Sequence, residues 1–189
     1  MRIPPRPGFA AVALGMALAL AVVPPGASAQ SGTDDLARAR AAFASRDFMQ
    51  AFRLLLPLAR GGNAEAQVRL GLMYHHGQGV REDDAEAFRW FLLGAQQGHT
   101  EAQFQLANLY ALGLGLPESE SEPDRAAATW YFEAARQGHA EAQHNLGILF
   151  LTGKGVVQSE SEARAWFRRA AASGHREARR FVETHPDTR

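Results

Sequence analysis

Trp90-Phe91-Leu92-Leu93-Gly94-Ala95-Gln96-Gln97-Gly98-His99-Thr100-Glu101-Ala102-Gln103 decides the fold, because the chain writes this stretch three times over. Trp130 and Trp166 follow Trp90 at intervals of 40 and 36 residues. Each tryptophan precedes an aromatic: Phe91, Tyr131 or Phe167. A small pair comes next (Gly94/Ala95, Ala134/Ala135, Ala170/Ala171), then Gly98, Gly138 or Gly174. After each glycine stands x-x-E-A, as in Glu101-Ala102, Glu141-Ala142 and Glu177-Ala178, with Glu65-Ala66 matching upstream. A leucine, a small residue and an aromatic follow: Leu70, Gly71, Tyr74; Leu106, Ala107, Tyr110; Leu146, Gly147, Phe150. Every unit then turns on G-x-G, at Gly77/Gly79, Gly113/Gly115 and Gly153/Gly155. A period of this length is the signature of a solenoid.

One unit can be read physically. Ala66, Leu70 and Tyr74 fall at i, i+4 and i+8, one face of a first helix. Glycine accepts the left-handed conformation that stops it. A capping box then opens a second helix: Asp83 with Glu86, Ser121 with Asp124, Ser159 with Glu162. That helix buries Ala87, Trp90 and Phe91 at helical spacing. A single hairpin of this kind cannot cover its own apolar face, so neighbours must stack. His99, His139 and His175 fall at the expected N-cap of each first helix.

Composition narrows the function. The chain has 20 basic and 20 acidic residues, 46% hydrophobic residues and no cysteine. Thiolate zinc sites, thiol nucleophiles and disulfides are therefore excluded. The N-terminus reads as a secretory signal peptide over residues 1–29: Arg2 and Arg6, an apolar run from Phe9 to Val23, then Ala27-Ser28-Ala29. The apolar run falls short of the roughly 20 residues a membrane span needs. Cleavage is expected between Ala29 and Gln30, which predicts a periplasmic or secreted mature chain with no membrane insertion. Losing Arg2 and Arg6 leaves 18 basic against 20 acidic residues, a balance that does not favour nucleic acid or anionic lipid.

These slots resemble the Sel-one-like repeat (SLR) family, α/α-solenoid relatives of the tetratricopeptide repeats. Full copies are expected at 63–98, 99–138 and 139–174. A degenerate copy at 30–62 places Ala51, Leu54 and Gly62 in the slots of Ala87, Trp90 and Gly98. Residues 175–189 form a C-terminal capping helix and tail, with Arg176, Arg179 and Arg180. The middle copy departs by carrying Ala107 for glycine and a turn four residues longer, the acidic stretch Pro117 to Pro123. The resemblance implies an all-α solenoid of stacked helix-turn-helix repeats whose first helices line a concave groove for a protein partner. The expected groove residues are Glu65, Val68, Leu72, His75 and His76; Glu101, Phe104, Asn108 and Leu112; and Glu141, His144, Ile148 and Leu151. The apolar members would form a continuous track flanked by glutamates. Secreted relatives of this kind imply a role in envelope signalling or in polysaccharide and envelope assembly; a secreted factor binding a host protein is the alternative.

No catalytic, metal or cofactor site is expected. His139-Ala140-Glu141 has the H-x-E form of a zinc deaminase, but the P-C-x-x-C that completes that site cannot exist here. The same slot reads Asn63-Ala64-Glu65 and His99-Thr100-Glu101, which makes it part of the repeat. His75 and His76 are adjacent and point apart on a helix, so they need His144 to chelate anything. The G-x-G pairs lack a preceding strand and a following G-K-S/T, so they are turns rather than phosphate loops. Cysteine-rich members of the resembled family are linked to β-lactam hydrolysis, and they carry a cysteine pair in each repeat that this chain lacks.

Overall fold

The computed structural model describes residues 27–185, with side chains from Thr33 onward, and every regular element among them is an α-helix. The signal segment before Ala27 lies outside the described residues, and the expected cleavage point falls in the first turn of the first helix. The helices are α1 (Ala27–Ala44), α2 (Phe48–Arg60), α3 (Ala64–His75), α4 (Asp84–Gln96) and α5 (Thr100–Leu112). They continue with α6 (Pro123–Arg136), α7 (Ala140–Thr152), α8 (Glu160–Ala172) and α9 (Arg176–Thr184). Every substantial helix contact joins neighbours in the chain, which is the topology of a solenoid.

Local chemistry sets the helix ends. Asp47, Asn63, Asp83 and Ser159 each accept a backbone N–H from the third residue onward. The capping box expected at Ser121 does not form. Glu122 is the N-cap of α6, with no side-chain cap bond, and Pro123 occupies the first helical turn. Proline is preorganised for that position and lacks the N–H a cap would satisfy, so it overrides the serine two residues earlier.

The apolar stripes of paired helices meet in a core that runs along the array. Phe91, Leu106, Trp130, Tyr131, Leu146 and Trp166 are buried in its central part. Leu55, Leu70 and Met73 fill the N-terminal part, and Phe167 with Ala178 the C-terminal part. Small residues permit the close approaches. A side chain at Gly147 would place its Cβ 2.8 Å from Cε1 of Phe167, and one at Gly71 would collide with the Phe91 ring.

The second glycine of each G-x-G does more than end a turn. Gly155, with φ +66°, lies against the carbonyl of Asp124 in the first turn of the preceding repeat's second helix; Gly115 lies in the same way on Asp84. Gly79 meets the backbone of Phe48 at the start of α2. These turns are therefore also joints between repeats.

Candidate functional site

The exposed face of the first helices is a stripe spaced four, three and four residues apart. It consists of Glu65, Arg69 and Leu72 on α3 with His76 at its C-cap; Glu101, Gln105, Asn108 and Leu112 on α5; and Glu141, Asn145, Ile148 and Thr152 on α7. Sequence reasoning missed Arg69, Gln105 and Asn145. The signal was present in the i, i+4, i+7, i+11 spacing counted from the glutamate that recurs in each repeat.

Several expected groove residues lie elsewhere. Val68 is 4% exposed and packs in the core below Gly94, so it does not reach the groove. Phe104 stacks on His139 at 4.3 Å, and His144 stacks on His175 at 4.1 Å. A side chain one residue off the stripe points at the next repeat, and there it covers the histidine that caps the next first helix. His144 thus meets His175 and not His75 or His76. His75 joins Asp84 at 2.6 Å and ties the end of α3 to the start of α4, while His76 is exposed beside it. Leu151 is half-buried against the C-terminal cluster. The apolar track is therefore interrupted. Its open members are Leu112 and Ile148, 68% and 40% exposed, with Leu72 half-buried.

Each glutamate of the stripe is held by a side chain of a neighbouring repeat. Nδ1 of His175 accepts the Ala178 N–H, so Nε2 carries the hydrogen and donates to Glu141 at 2.9 Å. His139 repeats the arrangement with Ala142 and, at 3.4 Å, with Glu101. Each histidine caps its own helix and binds the previous repeat. The His139 bond holds the Glu101 carboxyl below the usual range, against its burial. Glu65 has no such histidine. Arg40 grips it through two nitrogens and Arg69 adds a third contact, so Arg40 chiefly holds its carboxyl low. His99 makes no side-chain cap, and its Nδ1 is buried without a hydrogen bond. Burial, followed by the neighbouring His175, pushes the His144 imidazole towards its neutral form.

The middle repeat carries a polar network that the flanking repeats lack. The Tyr131 hydroxyl donates to Oδ1 of Asn108 at 2.7 Å, and Asn145 is also bonded to it. Burial raises the Tyr131 pKa, so the hydroxyl stays protonated. Asn108 donates to Gln105 at 3.4 Å, and Gln105 donates to Glu101 at 2.7 Å.

A buried glutamine series runs alongside. Gln67, Gln103 and Gln143 donate to the carbonyls of Ala59, Ala95 and Ala135. Gln97 and Gln137 then donate to Gln67 and Gln103, each at 2.7 Å. The matching slot after α8 is Ser173, too short to reach, and Oε1 of Gln143 has no hydrogen bond. Backbone angles at Ser173 are close to those at Gln97 and Gln137. Ser173→Gln is therefore expected to stabilise the chain by about 1 kcal/mol, raising Tm by roughly 2–4 °C. An unchanged or lower Tm in calorimetry would refute the extension of the series.

Among the described residues no three His, Asp or Glu side chains converge as a metal-binding group, and no helix is long and apolar enough to cross a membrane. Bonds to neighbouring repeats hold Glu65, Glu101 and Glu141, the last two through His139 and His175. Amides and aliphatic side chains stand between these held charges on a stacked-hairpin scaffold, which defines the class: an α/α-solenoid. The Sel1 repeat family matches residues 64–99, 100–139 and 140–175, and the chain belongs to it. Repeats of this family typically serve as protein–protein interaction scaffolds.

Solved structures agree. A Sel1 repeat protein from Oxalobacter formigenes is 32% identical with a TM-score of 0.69, over 77% of this chain and 56% of that one. A protective antigen present in uropathogenic Escherichia coli strains, displaying an SLR fold, is 29% identical with a TM-score of 0.71, over 78% and 32%. The chain thus spans about half of the first structure and a third of the second. Helicobacter pylori cysteine rich protein B shares the fold at 18% identity and a TM-score of 0.55, over 71% of this chain and 94% of that one. Among curated proteins none matches the sequence.

Proposed function

We propose that the chain is an exported scaffold that holds a protein partner along its first-helix face and performs no chemistry of its own. The observation that carries this is the division of labour on that face. Charged side chains are bonded between repeats, while Leu112 and Ile148 stand open. Solenoids use an extended face of this kind, continued from repeat to repeat, as a contact surface. Export is supported by the signal-like residues 1–29 and fits the likeness to a bacterial protective antigen. The roles that remain open to it are envelope signalling, envelope or polysaccharide assembly, and capture of a host protein.

The test begins with protein purified from the periplasmic fraction, whose first residue should be Gln30. Crosslinked pull-down from envelope extract is then compared between the natural protein and a Leu112→Asp/Ile148→Asp variant. Both positions are exposed, so Tm should stay within about 2 °C, as for other surface changes. Captured partners should be lost from the variant. If every partner persists, the face is not the binding surface.

A further inference from the structure

We propose that the middle repeat holds the point at which a partner's main chain is gripped: Asn108, fixed by Tyr131 and flanked by Gln105 and Asn145, takes an extended peptide segment through its backbone C=O and N–H. The inference rests on the reading of the first-helix face as the binding surface.

Three slots of the middle repeat change together. Ala107 replaces the glycine of Gly71 and Gly147, Asn108 replaces the aliphatic of Leu72 and Ile148, and Tyr131 replaces the phenylalanine of Phe91 and Phe167. In the flanking repeats the ring lies directly on the glycine. The Ala107 methyl removes that seat, and the Tyr131 ring sits instead with its hydroxyl on Asn108. Packing does not call for this exchange, because both neighbours manage with an aliphatic and a phenylalanine. A half-buried amide in an apolar slot gives up burial that leucine or isoleucine would supply.

The exchange does orient an amide. Tyr131 occupies one lone pair of Oδ1, and Gln105 takes one N–H in a long bond. One N–H and one lone pair of Asn108 are left, held in place by the network. A neutral donor beside a neutral acceptor matches the C=O and N–H of a peptide unit. It does not suit a phosphate or a carboxylate, since Glu101 and Glu141 keep their negative charge beside histidines that donate to them in the neutral form. Leu112, one turn along α5, and Ile148, in the matching slot of α7, suit apolar side chains of such a segment. A sugar would want an exposed ring to stack on. Phe104 is covered by His139, and Tyr131 is buried.

The experiment uses peptides selected from a random dodecapeptide library on the purified chain, then synthesised and titrated by calorimetry. Asn108→Leu restores the residue type of repeat 1, so folding should be retained; Tyr131→Phe is the second variant, removing only the hydroxyl. Affinity should fall about tenfold in Asn108→Leu and by a smaller factor in Tyr131→Phe. N-methylation of one central peptide amide should weaken binding to the natural chain by a similar factor, with little further loss in Asn108→Leu. Equal binding to the natural chain and both variants, with binding lost in Leu112→Asp/Ile148→Asp, overturns the amide grip and leaves the face reading intact. Failure to select any peptide, or peptides indifferent to all these variants, overturns both. A neutral oligosaccharide such as maltohexaose that binds and is lost in Asn108→Leu assigns the site to sugars and overturns the peptide assignment.

Discussion

Gly155→Ala should destabilise the chain by about 3–4 kcal/mol, a large effect for one methyl group. Two independent penalties combine. The backbone at Gly155 has φ +66°, where a Cβ costs about 1–2 kcal/mol. The methyl would also collide with the Asp124 carbonyl and lie 2.8 Å from the Arg125 nitrogen. Both obstacles are backbone in the first turn of α6, so no rotamer change relieves them, and the third repeat must shift away from the second. Gly113→Ala is the control, since its φ is +69° and a Cβ there meets nothing within 4 Å. It should cost only about 1–2 kcal/mol. Calorimetry should show Tm falling by roughly 6–16 °C in the first variant, given roughly 2–4 °C per kcal/mol. The transition should also broaden as the inter-repeat interface weakens. Equal effects of the two substitutions would show that conformation alone matters at these glycines.

Trp166→Ala should cost about 3–5 kcal/mol, the range for emptying a buried tryptophan site. Trp166 is 2% exposed. It meets Phe132 of the preceding repeat edge-to-face at 5.8 Å and carries the Arg169 guanidinium 4.3 Å above its ring. The loss should be local, because each repeat is stabilised by its neighbours alone. In hydrogen exchange α7, α8 and α9 should lose protection while α3 and α4 keep theirs. Uniform loss across all helices would mean that the array unfolds as one unit. Trp90 occupies the same slot but is half-buried, so Trp90→Ala should cost less.

These contrasts separate what the repeat spells out from what it conceals. The three tryptophans are interchangeable in the sequence and differ in burial only through what the adjoining repeat supplies. The glutamates at positions 65, 101 and 141 look alike as well. Two of them bind the histidine of the following unit, whereas Glu65 binds Arg40 of the preceding one. Ser121 and Ser159 look like equivalent caps, yet only Ser159 acts as one, because Pro123 lies in the first turn of α6. The amide network required Asn108 and Tyr131 to meet across two helices, and nothing in either residue alone announces it.

The sequence by itself determined the repeat period, the all-helical class, the turns between helices and the N-cap slots of His99, His139 and His175. These depend on hydrogen bonds and apolar spacing within a few residues of chain, which the order of residues states directly. Tertiary structure alone decided that Val68 is core, that Phe104 and His144 cover the next repeat's cap, and that Gly115 and Gly155 are joints as well as turns. The physical reason is angular. Adjacent residues point about 100° apart on a helix, and which of them faces solvent depends on a neighbour one whole repeat away.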